Sequence, residues 1–161
     1  MKYLNPRVFG WVILASLLAF TGNVSADRYG KQKVVYHINY DNPKQQAGAL
    51  RNIQNHINAV GAENMDIKVV LHGNGLALLV NPESLPKLKK FKHANATQGM
   101  TARIDGLKNQ GVAFNVCANT VKGRKVDLEN DLYNVDEEDI VPSGVAELTH
   151  LQSLGYTYIK P

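Results

Sequence analysis

Beyond residue 30, the apolar positions first resemble a buried strand and then one face of a helix. A β-branched run over 33–38 ends in the polar turn sequence 40–43, which is typical of a strand followed by a loop. From 44 to 60 the apolar residues recur at intervals of three and four: Leu50, Ile53, Ile57 and Val60. Gly61 follows, and glycine is common at a helix end. The pattern predicts half of a βαβ unit.

A second strand is predicted over 67–72, and it delivers His72 to the loop Gly73-Asn74-Gly75. The next segment, 76–80, is apolar without a clear period. Asn81 followed by Pro82 resembles the start of a helix, although another proline at position 86 limits its length. The chain therefore returns to a strand after the first helix, as a βαβ unit requires.

A longer helix is predicted over 97–110, with Met100, Ile104 and Leu107 on its apolar face and a glycine at 111 to end it. The apolar run 112–116 then predicts a third strand, which leads directly to Cys117. The third strand thus ends at a thiol.

The rest of the chain is less regular. Residues 122–124 are predicted to form a turn, and 126–135 shows no regular pattern. Ser143 is predicted to cap a last helix that carries Val145, Leu148 and Leu151 and ends at Gly155. The final segment, 156–159, predicts a closing strand.

Strands that alternate with helices predict one α/β domain with a doubly wound, mostly parallel sheet and helices on both faces. In such a sheet, a ligand site lies outside the carboxyl ends of the strands. The segments 39–41, 72–75 and 117–120 each follow a predicted strand. We therefore expect these three segments to meet at one edge of the sheet.

The N-terminus resembles a cleaved secretory signal. Lys2 and Arg7 precede the apolar run Val8–Phe20, and small residues occupy 24–26. We predict a signal peptide over 1–26 and an α/β domain over 27–161, which places the protein in the periplasm. The apolar run is too short to span a bilayer, so no stable membrane span is expected after cleavage. An uncleaved anchor remains the alternative.

The charge of the exported chain is close to neutral. The full sequence has 18 basic and 14 acidic residues and a formal net charge of +4. Two of the basic residues, Lys2 and Arg7, fall within the predicted signal peptide, which leaves a net charge of about +2. This charge gives no reason to expect a nucleic-acid partner.

Cys117 is the only cysteine in the sequence, so the fold is not held by disulfides. A lone cysteine is either a small buried apolar residue or a reactive thiol. A helical turn over 118–122 would place N–H groups beside the thiol, and Lys122, Arg124 and Lys125 would add positive charge. Acyl transfer needs a base with a residue to orient it, and dithiol exchange needs a second cysteine. Sulfur relay needs only one thiol that carries a persulfide.

The candidate site residues surround this thiol. We predict Cys117 and His72 as catalytic, with His72 either taking a proton from the thiol or holding the persulfide; a purely structural histidine is the alternative. The predicted ligand-binding residues are Gly73, Asn74, Gly75, Asn119, Thr120 and Tyr40. The other histidines, His37, His56, His93 and His150, are scattered and lack metal-ligand spacing. No metal and no cofactor are predicted.

Three motifs give the chain a family resemblance: His72-Gly-x-Gly75, the strand from Gly111 that ends at Cys117, and the segment 141–148 leading to Gly155-Tyr156. With these motifs the chain resembles the DsrE/DsrF-like family, which includes TusD-like sulfur-relay proteins. The resemblance implies a doubly wound α/β domain, assembly as a homotrimer or homohexamer, and a Cys117 persulfide exchanged with sulfur donor or acceptor thiol proteins. The export signal departs from the cytoplasmic members.

Two functions therefore remain open from the sequence. The first is an exported persulfide carrier or sulfurtransferase that works through Cys117. The second is an oligomeric, non-catalytic binding module, whose pocket at the strand edge holds a small ligand or a protein partner.

Overall fold

The computed structural model describes residues 28–161, so the predicted signal peptide over 1–26 lies outside the described residues. Five strands form one parallel sheet in the order β4-β3-β2-β1-β5. Their bounds are β1 Gln32–Ile38, β2 Met65–Leu71, β3 Ala113–Cys117, β4 Ile140–Val141 and β5 Thr157–Ile159. The chain thus adds strands in one direction up to β4 and then returns to the opposite edge for β5.

Five α-helices connect the strands: α1 Pro43–Val60, α2 Gln98–Lys108, α3 Ala118–Arg124, α4 Leu128–Asp131 and α5 Gly144–Ser153. Crossovers between parallel strands are right-handed, so connections that run in opposite directions place their helices on opposite faces. The return connection, which contains α5, accordingly lies on the face opposite α1 and α2. None of the helices within residues 28–161 combines the length and apolar character needed to cross a membrane.

The strand alternation divides the core between the two faces. On the larger side Val34, Tyr36 and Ile38 of β1 pack in one buried cluster with apolar residues of α1 and α2. On the smaller side Val35 and Val70 form a separate cluster with Leu148, Leu151 and Tyr156, which lie on or after α5. This two-sided core confirms the predicted doubly wound α/β fold.

The main helix boundaries follow from local chemistry. Asn42 caps α1 by accepting the N–H of Gln45, and the helix ends at Gly61, which has a φ of 91°. Ser143 caps α5 by accepting the N–H of Ala146, which confirms the predicted cap. The predicted strands and long helices agree with the structure to within two residues at each end.

The region after β3 departs from the prediction. Residues 122–124 are not a turn but the last turn of α3, which ends at the left-handed residue Lys125 with a φ of 57°. The segment 126–135, predicted to be irregular, contains the short helix α4, capped by Asp127. The two-residue strand β4 was not predicted. Such short elements are held by tertiary contacts and leave no periodic pattern in the sequence.

The segment after β2 is also more structured than the sequence indicated. Residues Gly73–Leu78 form a 3₁₀ helix, whose apolar part is fully buried. The predicted helix start at Asn81 is only a 3₁₀ turn over Pro82–Ser84, and the Asn81 side chain does not cap it. Leu132 pairs with Val80 in an isolated antiparallel bridge. This bridge fixes the chain after α4 against the apolar segment 76–80.

Candidate functional site

The carboxyl ends of neighbouring strands bring the predicted segments to one edge of the sheet, as expected. His72 directly follows β2, and Cys117 is the last residue of β3, next to it in the sheet. A fourth segment also reaches this edge: β4 leads to Gly144, the first residue of α5. The site is therefore built from the loop after β2, the start of α3 and the start of α5.

The thiol of Cys117 is buried but surrounded by hydrogen-bond donors. The residue is 5% exposed and stands at the N-cap position of α3. Burial raises the pKa of the thiol and is the largest single influence. The N–H of Gly144, the hydroxyl and N–H of Thr120 and the N–H of Asn119 together outweigh it, so the pKa of Cys117 lies below its ordinary value. The site therefore stabilises the thiolate relative to that of an ordinary cysteine.

The approach of α5 depends on the absence of a side chain at position 144. A Cβ on Gly144 would stand 2.9 Å from the Cβ of His72 and 3.3 Å from the Cβ of Cys117. The backbone N–H at the start of α5 can therefore come close to the sulfur only because this residue is glycine. Gly144 was not among the predicted site residues, although it lies within the segment 141–148 of the family resemblance.

Thr120 connects the thiol to the loop after β2. Its hydroxyl oxygen accepts the N–H of Gly73 at 2.8 Å, while the same hydroxyl acts as a donor towards Cys117. A hydroxyl can accept one hydrogen bond and donate another, so Thr120 satisfies both neighbours. The structure thus brings together Cys117, Gly73, Asn119 and Thr120.

Three predicted ligand-binding residues have other contacts in the structure. The Tyr40 hydroxyl donates to the carbonyl of Pro161 at 3.0 Å. Asn74 is exposed and accepts a hydrogen bond from Arg124 at 2.6 Å. Gly75 is buried so close to β1 that a Cβ would stand 1.8 Å from the carbonyl oxygen of Ile38. Their side chains or backbone therefore position the loops around the thiol.

A buried pair of amide side chains, Gln46 and Asn95, holds these loops through hydrogen bonds to their carbonyl groups. Gln46 is fully buried and donates to the carbonyls of Tyr40 and Gly75. Asn95 donates to the side-chain oxygen of Gln46 at 2.7 Å and to the carbonyl of Asp41 at 2.9 Å. The pair satisfies carbonyl groups that have no place in a regular ladder. It ties the loop after β1 to the loop after β2.

The basic residues of α3 do not surround the thiol in the way their sequence positions suggested. Arg124 lies over the ring of Phe91, 4.4 Å from its centroid, and donates to the carbonyl of Lys90. Lys122 and Lys125 are exposed. Each residue of an α-helix adds about 1.5 Å of length, so the end of α3 lies well away from its N-cap. The pKa of Cys117 is lowered by local donors and not by these cations.

His72 pairs with a residue that the sequence analysis had set aside. Its Nε2 atom lies 2.7 Å from Nε2 of His37, and Nδ1 of His37 lies 2.7 Å from the hydroxyl oxygen of Tyr158. Burial lowers the pKa of His37 to about 4, helped by His72 and Lys160, and burial also lowers the pKa of His72. His37 pairs in register with Val70, two residues before His72, so the two histidines share one face of adjacent strands; this register was the signal that sequence reasoning missed.

Three clefts within residues 28–161 lie away from Cys117. One of about 340 Å³ lies between α1 and α2 and is lined by Leu50, Arg51 and Arg103 among others. A second, of about 420 Å³, lies at the amino ends of β1 and β2, and a third, of about 300 Å³, lies beside β1 and β5. Within residues 28–161, no group of three or more histidine, cysteine or acidic side chains is arranged to hold a metal ion.

Fold and site together define a class of protein: a single α/β domain with a doubly wound parallel sheet and a thiolate-stabilising cysteine at the carboxyl end of its third strand. The model of the DsrE/DsrF-like family matches residues 33–161, and the chain belongs to this family. Membership suggests a role related to sulfur relay.

Among solved structures, the chain is similar to a protein of unknown function, MTH1491, from Methanobacterium thermoautotrophicum. The two are 26% identical with a TM-score of 0.64, and the match covers 81% of this chain and 100% of that one. No curated protein sequence matches this chain.

Proposed function

We propose that the protein is an exported sulfur-relay protein, in which Cys117 accepts a sulfane sulfur as a persulfide and passes it to a second thiol. The observation that carries the proposal is that donors of Gly144, Thr120 and Asn119 lower the pKa of Cys117 although the residue is buried. The thiolate, and not the thiol, is the nucleophile in sulfur exchange. Family membership supports the same chemistry.

The transfer is a simple exchange at sulfur. The Cys117 thiolate attacks the outer sulfur of a donor persulfide, forming a new S–S bond as the S–S bond of the donor breaks. The donor leaves as a thiolate, and the transferred sulfur keeps its proton. An acceptor thiolate then attacks this outer sulfur and regenerates the Cys117 thiolate. No net oxidation occurs in either step, so no redox cofactor is required.

The donor and acceptor are proposed to be thiol proteins, and the chain is proposed to act as a homotrimer or homohexamer. Three large apolar side chains on and near α5 are exposed and available to a second copy of the chain: Val145 is 63% exposed, Leu154 52% and Tyr158 40%. Multi-angle light scattering of the purified protein would give the subunit number, and a monomer would contradict the assembly.

Export is proposed from the N-terminal sequence alone. We expect the mature protein in the periplasmic fraction, beginning at Asp27. Mass spectrometry of the protein purified from that fraction tests the cleavage site. Protein with residues 1–26 still attached, found in the cytoplasmic fraction, would contradict export. The proposed sulfur transfer does not depend on this result.

The sulfur chemistry is tested by loading the protein with inorganic polysulfide. We expect a mass gain of about 32 Da, the mass of one sulfur atom, that dithiothreitol reverses and that the Cys117→Ser variant lacks. Reaction with iodoacetamide across pH measures the thiolate directly. Sulfur loading that persists in Cys117→Ser, or alkylation that begins only above about pH 8.5, would contradict the proposal.

The burial of Cys117 favours one alternative, a non-catalytic binding module in which the thiol is a packed core residue. Such a protein would keep its structure and its oligomeric state in Cys117→Ser, and its thiol would neither alkylate rapidly at neutral pH nor take up sulfur. The loading experiment therefore separates the two functions.

A further inference from the structure

Four ionisable side chains form a row across four adjacent strands on the α5 side of the sheet. Cys117 ends β3, His72 follows β2, His37 lies on β1 and Tyr158 on β5. These strands are neighbours in the order β3-β2-β1-β5. His37 lies at the centre of the row, is only 7% exposed, and uses both ring nitrogens in hydrogen bonds.

The proton count of this row allows only two arrangements while both imidazoles are neutral. The contact between the two Nε2 atoms needs one N–H, and each neutral ring carries a single proton. Either His37 carries it on Nε2, donates to His72 and accepts from Tyr158, or it carries it on Nδ1 and both hydrogen bonds reverse. Fixing the direction of one bond therefore fixes the tautomers of both rings.

The hydroxyl group of Tyr158 determines which of the two arrangements forms. A phenolic O–H is a stronger hydrogen-bond donor than the N–H of a neutral imidazole. Tyr158 is 40% exposed, so its oxygen can accept from water while its proton points to Nδ1 of His37. Then His37 donates from Nε2, and the proton of His72 must be on Nδ1. The hydrogen bond of His72 to His37 uses Nε2, and Nδ1 of His72 makes no hydrogen bond to another residue within 28–161.

We propose that Tyr158 and His37 are positioning residues that fix His72 as the Nδ1–H tautomer, so that His72 offers a hydrogen bond to an anionic sulfur at the strand edge. His72 is then a donor to the donor or acceptor thiolate and not the base that ionises Cys117, which has donors of its own. The chemical role of His72 rests on the proposed sulfur relay. The tautomer itself does not, because it follows from the two hydrogen bonds of His37 and from the donor strength of the Tyr158 hydroxyl.

The tautomers are measured by long-range ¹H–¹⁵N correlation spectra of the histidine rings in the ¹⁵N-labelled protein at about pH 7. His37→Gln and His72→Gln spectra assign the signals. We expect the Nδ1–H pattern for His72, the Nε2–H pattern for His37, and mixed tautomers in Tyr158→Phe. The matched control is Tyr133→Phe, which removes a hydroxyl bonded to Asp105 and should change neither ring. The Nε2–H form of His72 in the unmodified protein would overturn the proposal.

The role of His72 is measured by the rate of polysulfide loading on Cys117 in two variants. The amide nitrogen of asparagine stands where Nδ1 of histidine stands, whereas that of glutamine stands nearer Nε2. His72→Asn should therefore keep most of the rate, and His72→Gln should lose about tenfold or more, the value of a hydrogen bond to a charged group. Equal rates in the two folded variants, or the reverse order, would overturn the donor role. If the unmodified protein took up no sulfur, the proposed function would be wrong. The tautomer of His72 would still be tested independently by the NMR spectra.

Discussion

At Cys117 two opposing influences act on one sulfur atom. Burial alone would hold the proton on the thiol, as it does for most packed cysteines. The donors of Thr120, Asn119 and Gly144 act in the opposite direction and together outweigh burial. Burial therefore does not by itself set the pKa of a cysteine when the surrounding backbone supplies N–H groups. This is why its small exposed fraction alone does not make the residue inert.

The hydroxyl of Thr120 provides a direct test of this balance. In Thr120→Val the side chain keeps its shape but loses a donor to the sulfur and an acceptor for Gly73. We expect the pKa of Cys117 to rise and alkylation at about pH 7 to slow about tenfold, since a hydrogen bond to a charged group is worth about 1.5–3 kcal/mol. Iodoacetamide rates across pH give both values.

Thr101→Val is the matched control for this change. Thr101 lies on α2, where its hydroxyl donates to the carbonyl of Gln98 and also contacts the hydroxyl of Tyr133. Its replacement should leave the alkylation profile of Cys117 unchanged. Equal profiles for Thr120→Val and the unmodified protein would mean that the hydroxyl does not stabilise the thiolate.

Gly144 provides a second test, because it sets the distance between α5 and the thiol. In Gly144→Ala the new Cβ meets His72 and Cys117, so the start of α5 must move away and withdraw its N–H from the sulfur. We expect a higher pKa for Cys117 and a loss of about 1–2 kcal/mol in the free energy of unfolding, as for other overpacked sites. Urea denaturation and pH-dependent alkylation measure the two effects.

Gly106→Ala on α2 is the comparison for this substitution. No atom lies within 4 Å of a Cβ at that position, and the residue is inside a helix. Alanine should therefore stabilise the protein by about 0.5–1 kcal/mol and leave the thiol unaffected. If Gly144→Ala also stabilised the protein and left the pKa of Cys117 unchanged, close packing at the start of α5 would not be what holds the N–H of Gly144 near the sulfur.

At the scale of elements, the loop after β2 is held by one close approach. Gly75 lies against the backbone at the end of β1, where a Cβ would stand 1.8 Å from the carbonyl oxygen of Ile38. Gly75→Ala forces a shift of backbone and not of a flexible side chain. We expect a loss of more than about 3 kcal/mol in the free energy of unfolding, measured by urea denaturation.

Gly73→Ala separates this packing effect from backbone conformation. Gly73 has a φ of 55° but nothing within 4 Å of a Cβ, so alanine there meets only the cost of a left-handed residue, about 1–2 kcal/mol. An equal loss in the two variants would contradict the importance of the contact with β1. A larger loss in Gly75→Ala would explain why the loop begins and ends with glycine.

The sequence predicted elements that have a periodic apolar pattern and missed those that lack one. The face of α1 is readable because Leu50, Ile53 and Ile57 recur at helical intervals and are all buried. By contrast, β4 has two residues and is defined only by its pairing with β3. Its position depends on contacts with residues distant in sequence, and these have no local signature.

The same limit applies to the site. Cys117, Gly73 and Thr120 could be grouped from the sequence because the ends of parallel strands share one edge. Gly144 and His37 could not, since Gly144 follows the unpredicted strand β4 and His37 depends on which face of β1 it occupies. Both become visible only when the strand register is known. The residues missed were those that approach the thiol from the α5 side.

For the molecule as a whole, the paired histidines His37 and His72 make the free energy of unfolding depend on pH. In the unfolded chain His37 takes up a proton near pH 6.5, whereas in the folded protein its pKa is about 4. Between these values the unfolded chain binds more protons, so stability rises with pH across this window and is lost as the pH falls. The lowered pKa of His72 acts in the same direction. Burial acts to raise the pKa of Asp131, but Lys87 and the N–H of Asp127 outweigh it and lower this pKa, so the contribution of Asp131 is lost only at more acidic pH.

We therefore expect the free energy of unfolding to fall by about 2 kcal/mol between pH 7 and pH 5 from His37 alone, measured by urea denaturation at each pH. His37→Gln removes the titrating group and should reduce this fall by about the same amount, whatever it does to stability at pH 7. His150→Gln, at an exposed position on α5, should keep the full pH dependence. If His37→Gln retained the pH dependence of the unmodified protein, His37 would not be held neutral in the folded protein. The proposed directions of the hydrogen bonds from Tyr158 to His37 and from His37 to His72, which require a neutral His37, would then be wrong.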